Sequence, residues 1–494
     1  MKVALIVPPS RANSSRLPFS LLCLASYLDK FNRGVDTKII DIKIDMYKKL
    51  NKKVKEDITD KIVNQVVKFN PTIVGLTCLV TEVSEVINIA KLIKEKMSNV
   101  IVVVGGIQPT LFPEDILFKN TPVDFVVIGE GEKTLSEMIN AVKNGKPLEN
   151  IKGLAWFDKK IMKTECRELL EDIDNLHPLP YHKIDMDFYT KVDQSKIRFM
   201  PVSSLNLFTT RGCPFNCAFC VAGNLWKNAD HKKLVRLRSN KSILNELKML
   251  IEKYKIDAIY FLDETFTLDM KRTEQFCDEL IKNKLDFIWA CETRVSLVSE
   301  PLLKKMKEAG CVQIDFGVES GSQERLNEMR KGITVDQVRK AFEMCHRIGV
   351  RPFGCFMFNL PNETVDDVKK SIDLIKEIKA CFYNFAITTP FPGTDIYKYV
   401  KPKLKVEEYE TLEDATRNLK DPRFVFAKHK IEMTPFVSMV EKRFNNPTKR
   451  FTPFLNKMYV KQLLRSKRKA EYVSEGFHMF EVAIGKAAKS ITNL

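Results

Sequence analysis

Short apolar runs alternate with helical patterns in two successive series, and this alternation constrains the fold more than any other feature of the chain. In the first series, residues 3–7, 37–41, 72–77, 100–104 and 124–128 read as buried strands, with helical patterns over 18–30 and around 82–97 and 110–119. Such a series builds a doubly wound parallel sheet, whose ligand crevice lies at the carboxyl ends of the strands. In the second, runs near 205–209, 258–262, 287–291, 312–317, 353–358 and 382–388 give six strand–helix repeats. Six repeats predict a partial (β/α)6 barrel of TIM-like kind, with its chemistry again at the carboxyl ends. The chain therefore reads as α/β, with a Rossmann-like domain over 1–145, a linker over 146–203, the barrel over 204–396 and a basic helical region over 397–494. Within the linker, 151–157 can add a strand, and 175–182 is broken by prolines.

Composition narrows the class. The 494 residues suffice for several cores. Twelve cysteines invite a disulfide reading, but Cys23, Cys78, Cys291 and Cys355 sit in apolar runs, as buried thiols of a reducing compartment do. Neither a secretory leader nor an apolar span of about 20 residues is present, so a cytoplasmic protein is expected. From residue 401 onward 20 Lys and Arg face 11 Asp and Glu, about half of the formal net charge of +17. That basic region, with amphipathic patterns over 433–444 and 451–465, reads as a helical cap on the barrel or a peripheral membrane contact. No interleaved aromatics or binding module point to specific nucleic-acid binding.

The chemistry concentrates at strand ends. After the first barrel strand, Arg211–Cys220 carries Cys213, Cys217 and Cys220 in a Cys-x3-Cys-x2-Cys loop. Three thiolates so spaced suit one soft metal centre, zinc or an iron–sulfur cluster. With no fourth cysteine nearby, a 4Fe-4S cluster with one open iron is the plain reading, against a zinc loop or buried thiols. Asp263 and Glu264 follow the second strand, Glu292 and Arg294 the third, Glu319 and Ser320 the fourth, and Pro392-Gly393-Thr394 the sixth. Such groups suit a zwitterionic nucleoside: a carboxylate for an ammonium, Arg294 for a carboxylate, Glu319 or Ser320 for ribose hydroxyls. In the N-terminal series, glycines gather at Gly105-Gly106 and Gly129-Glu130-Gly131, where a backbone can approach a ligand and a helix from Thr134 offers free N–H groups. No full dinucleotide fingerprint is present.

With Phe219 before its last cysteine, the loop resembles the signature of the radical S-adenosylmethionine (SAM) enzymes. The resemblance implies that SAM chelates the open iron and is cleaved to a 5'-deoxyadenosyl radical. It also assigns SAM binding to Phe219, Asp263, Glu264, Arg294, Glu319 and Ser320. The succession Thr77, Thr81, Gly105, Gly106, Gln108, Gly129, Glu130 and Gly131 is similar to the cobalamin-binding domain of one large class of these enzymes. Cobalamin is accordingly expected there, without a protein imidazole as lower ligand, because the first histidine of the chain is His177. The activity implied by both resemblances is that of a methyltransferase acting on an unactivated carbon of a small-molecule, lipid or natural-product substrate, with an electron donor such as flavodoxin or ferredoxin. The alternatives are radical rearrangement or cyclisation without methyl transfer, and an iron–sulfur electron-transfer or sensing protein.

Other positions carry weaker signals. His177 and His182 in the proline-broken linker read as surface or packing residues rather than metal ligands. Asn359 and Asn362 stand where the family commonly has glycine, and asparagine tolerates the left-handed backbone such a turn needs. Arg236 and Arg238, before a helix capped by Ser239, read either as reaching a substrate or phosphate or as exposed helix-entry arginines.

Overall fold

The computed structural model describes residues 1–9, 16–46, 58–193, 196–225, 234–414, 421–445 and 456–474. The chain forms two compact units, one of Met1–Asp185, Pro214–Arg236 and Thr389–Phe424, the other of Met186–Cys213, Leu237–Thr388 and Val425–Leu494.

The first unit is built on a seven-stranded sheet. Strands β1 (Lys2–Ile6), β2 (Asp36–Ile40), β3 (Ile73–Thr77), β4 (Ile101–Gly105) and β5 (Phe125–Val127) run parallel in the order β2-β1-β3-β4-β5. Fully buried Val3, Ala4, Leu5, Ile6, Val74, Val102 and Val104 reflect a sheet covered on both faces. The chain reverses direction across the sheet between β1 and β3, which places a ligand crevice beyond their carboxyl ends. The strand expected near 151–157 forms as β6 (Leu154–Asp158), antiparallel to β5, and turns into β7 (Lys160–Lys163), so this stretch extends the sheet. A helix at Ile58–Phe69, absent from the sequence reading, buries Ile62, Val63 and Val66. The helix expected from Thr134 begins at Gly131. Its first turn thus lies directly against the glycine loop.

The second unit is a curled, open sheet. After β8 (Val192–Asp193) and β9 (Val202–Leu207), short β10 (Thr210–Arg211) and β11 (Arg236–Leu237) precede and follow the cysteine loop. Then come β12 (Ala258–Phe261), β13 (Ile288–Thr293), β14 (Cys311–Glu319), β15 (Arg351–Phe358) and β16 (Phe382–Ile387). The order β16-β15-β14-β13-β12-β9-β8 is parallel throughout except for β8, giving the six parallel strands of a half-barrel. Helices cover its outer face. Phe261 meets Trp289 and Phe276 of helix Met270–Asn283 edge-on, and Phe316 packs on Phe342 of helix Val335–Ile348.

The C-terminal amphipathic patterns form helices Met433–Phe444 and Lys457–Arg465, while residues 451–455 lie outside the described ones. The second helix and the residues after it cover the amino-terminal end of the half-barrel: Tyr459 and Tyr472 join the cluster of Val202, Ala258, Ile288 and Ala290. Asp257, just ahead of β12, accepts from Gln462, Ser466 and Tyr472 at 3.1, 2.7 and 2.9 Å. Among the described residues no helix is long and apolar enough to cross a membrane.

Candidate functional site

The cysteine loop is set by the strand that leads into it. Thr209 and Thr210 direct both backbone N–H groups and both hydroxyls at the Asp263 carboxylate, at 2.6–2.9 Å. Asp263 is fully buried, and that burial raises its pKa against the lowering effect of the four bonds. Its carboxylate is therefore committed to holding the start of the loop. Glu264 is exposed, and crowding by protein atoms and the Asp263 charge raise its pKa.

Within the loop Cys217 is buried, while Cys213, Phe219 and Cys220 are half-buried, and none of the three cysteines is in a disulfide. Cys220 N donates to Cys217 O at 3.1 Å. The Pro392-Gly393-Thr394 segment braces the same loop: Asn224 Nδ2 donates to Gly393 O at 2.7 Å and Asp395 Oδ1 at 3.1 Å, and Ile396 N to Ala218 O at 3.1 Å. A Cβ on Gly223 would lie 2.6 Å from Asn216 Oδ1, so the Asn216 side chain packs close over the turn that follows the loop. Three thiols on one braced loop, with no fourth cysteine beside them among the described residues, suit a cluster that leaves one iron open.

At the end of β14, Glu319 adopts φ +68° beyond a register shift at Gly317/Glu319. Such a backbone in a non-glycine residue is strained and needs support. Support comes from Lys331, whose Nζ lies 2.7 Å from Glu319 Oε1, both residues being buried. A Cβ on Gly317 would fall 2.5 Å from Glu319 Oε1 and 2.6 Å from Lys331 Nζ, so Gly317 makes the space for this pair. Sequence reasoning missed Lys331 and Gly317; the glycine two residues before Glu319 was the available signal. Ser320 is fully buried, sharing a hydrogen bond with Ser371 at 3.3 Å and accepting from Ser322 N at 3.1 Å. It shapes the turn rather than facing open space. Arg294 is buried at the end of β13 with Nη2 on the Lys331 carbonyl, which ties it to the same corner.

The left-handed backbone expected of Asn359 and Asn362 is present, with φ +62° and +59°. Asn359 Oδ1 accepts from Phe426 N at 3.0 Å and Asn359 N donates to Glu363 Oε2 at 2.8 Å. Glu363 is fully buried, and desolvation lifts its pKa to about 8.

The two arginines are a correction. Arg238 is 2% exposed, paired with Glu246 at 2.7 Å and bonded to Phe208 O at 3.0 Å. Arg236 is buried against Glu130 Oε2 at 2.7 Å. Both are buried beside a carboxylate, Glu246 buried and Glu130 half-buried, which overturns the exposed reading. Ser239 caps the next helix as expected, accepting from Ser242 N at 3.1 Å.

In the first unit the candidate residues gather at the carboxyl edge of the sheet. Thr77 ends β3, Thr81 follows in its loop, Gly105 ends β4, and Gly129-Glu130-Gly131 leads from β5 into the helix Gly131–Lys143. Gly106 takes φ +120° and a Cβ there would lie 2.7 Å from Cys78 O, so this turn admits only glycine. Thr110 joins the two glycine turns, its hydroxyl donating to Gly106 O at 2.7 Å and accepting from Gly129 N at 3.0 Å. Gly129, at φ +80°, has nothing within 4 Å of where a Cβ would stand, and so borders open space. A glycine cradle at the carboxyl edge of a parallel sheet, in a domain bare of imidazole, fits a large planar cofactor held through the backbone. Gln108 is buried and donates to Asp115 Oδ2 at 2.5 Å; burial lifts the Asp115 pKa to about 6. Glu130 Oε2 also accepts from Leu170 N at 2.8 Å. The side chains of Gln108 and Glu130 are thus engaged within the domain.

A thiol-bearing loop heading a half-barrel, together with a cofactor-type doubly wound domain, defines a radical enzyme with an auxiliary cofactor domain. Comparison with known proteins agrees. Residues 207–375 match the model of the Radical SAM superfamily, and residues 14–139 that of the B12 binding domain. An uncharacterized methyltransferase of Pyrococcus horikoshii is 32% identical over 81% of this chain and 83% of its own length. The anaerobic magnesium-protoporphyrin IX monomethyl ester cyclase of Rubrivivax gelatinosus is 26% identical over 71% of this chain and 62% of its own. Among solved structures, the radical SAM methyltransferase TsrM of Kitasatospora setae, with tryptophan and a SAM analogue bound, superposes with a TM-score of 0.65. That match spans 81% of this chain and 76% of the other at 18% identity, a likeness of fold. The chain belongs to the radical SAM enzymes that carry a B12 binding domain ahead of the barrel. Its cofactors are accordingly a 4Fe-4S cluster, SAM and cobalamin.

Proposed function

We propose that the protein transfers a methyl group to an unactivated carbon of a small-molecule substrate, with an external electron donor supplying the reducing equivalent. The observation that carries this reading is the pairing, in one chain, of a three-cysteine loop on a half-barrel with a glycine cradle at the carboxyl edge of a parallel sheet. When bound, cluster and SAM supply a 5'-deoxyadenosyl radical, and cobalamin carries the methyl group. Cys213, Cys217 and Cys220 hold the cluster. Asp263 fixes the strand end from which that loop starts, and Glu264 presents a carboxylate to the amino group of SAM. Arg294 and Glu319, organised by Lys331, serve its carboxylate and ribose, with Ser320 shaping the turn beneath. Thr77, Thr81, Gly105, Gly106 and Gly129 line the cobalamin cradle, Gly106 and Thr110 keeping its two turns together.

The test is a label experiment. Protein reconstituted anaerobically with cluster and cobalamin is given SAM bearing a deuterated methyl group, and the cobalamin is recovered for mass spectrometry. Labelled methyl on cobalamin supports methyl transfer. SAM cleavage without labelled cobalamin favours a second reading, cyclisation or rearrangement, which the relationship to the Rubrivivax cyclase motivates.

A further inference from the structure

The concave face of the half-barrel carries a second group of polar side chains, which includes the strand-end Glu292. Phe261, Trp289 and Phe316 face the outer helices, so strand alternation turns Tyr260, Glu292 and Asp315 inward. There the Tyr260 hydroxyl lies 2.9 Å from Glu292 Oε1 and 2.8 Å from Asp315 Oδ2. Gln313 Nε2 takes the other Asp315 oxygen at 2.7 Å. A phenol has one proton and can satisfy one carboxylate; the second contact needs a proton on a carboxyl. The group is therefore two carboxyls and a phenol holding one proton more than the ionised acids would. Burial favours that form, since it raises the Asp315 pKa against the lowering effect of Arg198 and Arg351.

A second observation points to a ligand. On the adjacent strand Asn206 pairs in register with Tyr260 and so shares its inward face, with Ser204 two residues before it on the same face. Asn206 is 2% exposed and Ser204 fully buried, yet Asn206 Oδ1 and Ser204 Oγ have no hydrogen-bond partner. A buried acceptor left unmatched costs about 1–3 kcal/mol, which a ligand donor would recover. Among the described residues the charged and titratable groups around the cluster, besides Glu292, Asp315 and Tyr260 themselves, include Arg198, Arg351, Cys291 and Cys355. Arg351 leans on Arg198 O at 3.0 Å.

We propose that this inner face binds a substrate through a primary ammonium group, which takes the place of the shared proton among Glu292, Asp315, Tyr260 and Asn206. The ammonium enters as R–NH3⁺, one carboxyl proton leaves to solvent, and no covalent bond forms or breaks. The inference deepens the methyltransferase reading and rests on it, since it gives the substrate an amine anchor.

The experiment uses the full-length, cluster-reconstituted protein and n-butylammonium chloride as probe, by isothermal titration calorimetry at pH 7 in phosphate and in Mops. The difference in heat between the two buffers gives the protons released. The expected result is release of close to one proton per ammonium bound, with butan-1-ol binding at least about tenfold more weakly. Asp315→Asn and the milder Tyr260→Phe should each abolish the release and weaken butylammonium binding by about tenfold. Absence of butylammonium binding, binding without proton release, equal affinity for butan-1-ol, or release that persists in both variants would overturn the proposal. Formation of 5'-deoxyadenosine by the wild type from SAM and dithionite is scored separately. Failure of amine binding alone leaves the radical reading standing, and absence of deoxyadenosine removes that reading whatever the calorimetry shows.

Discussion

Replacing Asp263 tests how the cysteine loop is held. Its carboxylate accepts four hydrogen bonds from Thr209 and Thr210, the residues that lead into Arg211-Gly212-Cys213. Asp263→Ala leaves two buried backbone N–H groups without acceptors, at about 1–3 kcal/mol each. The two hydroxyls can turn elsewhere, so the loss is about 2–6 kcal/mol, a fall of about 5–15 °C in the midpoint of thermal unfolding. Asp263→Asn keeps one oxygen for both N–H groups and lets Thr209 Oγ1 accept from the new amide. It also removes a carboxylate that burial already disfavours, so its loss should be less than half that of the alanine variant. Both are read by anaerobic thermal unfolding and by iron bound per chain after reconstitution, which should fall in the same order. An alanine variant that melts within about 1 °C of the wild type and retains its iron would refute the reasoning.

The geometry sets three further outcomes. Gly106→Ala forces a Cβ onto Cys78 O in a glycine-only backbone and should cost about 2–4 kcal/mol with loss of bound cobalamin, whereas Gly129→Ala, bordering open space, should cost about 1 kcal/mol; cobalamin retained after gel filtration measures both. Glu363, faced by Asp367, Arg325 and a His429 whose own pKa is lowered by burial, has a pKa raised to about 8. A raised carboxyl binds its proton more tightly in the folded state, so stability falls as pH rises from about 4.5 to 8; Glu363→Gln should flatten that slope in urea titrations across the range, by at most about 5 kcal/mol. Lys331→Met strands the buried Glu319 carboxylate and should destabilise by about 3–5 kcal/mol, with weaker SAM binding by equilibrium dialysis.

Much of this architecture is legible in the chain because strand runs and turn glycines are local signals. All six barrel strands fall within a few residues of the apolar runs that foretell them, and the cysteine spacing is self-contained. The 58–69 helix is obscured because its buried stripe is only Ile62, Val63 and Val66 among polar neighbours. Long-range pairing is not written locally. Nothing near Asp263-Glu264 says that two threonines over 50 residues earlier take the first carboxylate and leave the second, or that Lys331 returns to Glu319. The burial of Arg236 and Arg238 depends likewise on Glu130 and Glu246, which only the fold brings to them.

The most direct test of the central claim is anaerobic incubation of reconstituted wild type and Cys217→Ala with SAM and dithionite, quantifying 5'-deoxyadenosine by mass spectrometry. The account predicts deoxyadenosine from the wild type and none above background from the variant, with cobalamin retained by both. Deoxyadenosine at equal rates from both proteins, or none from a wild type carrying its cluster, would contradict it.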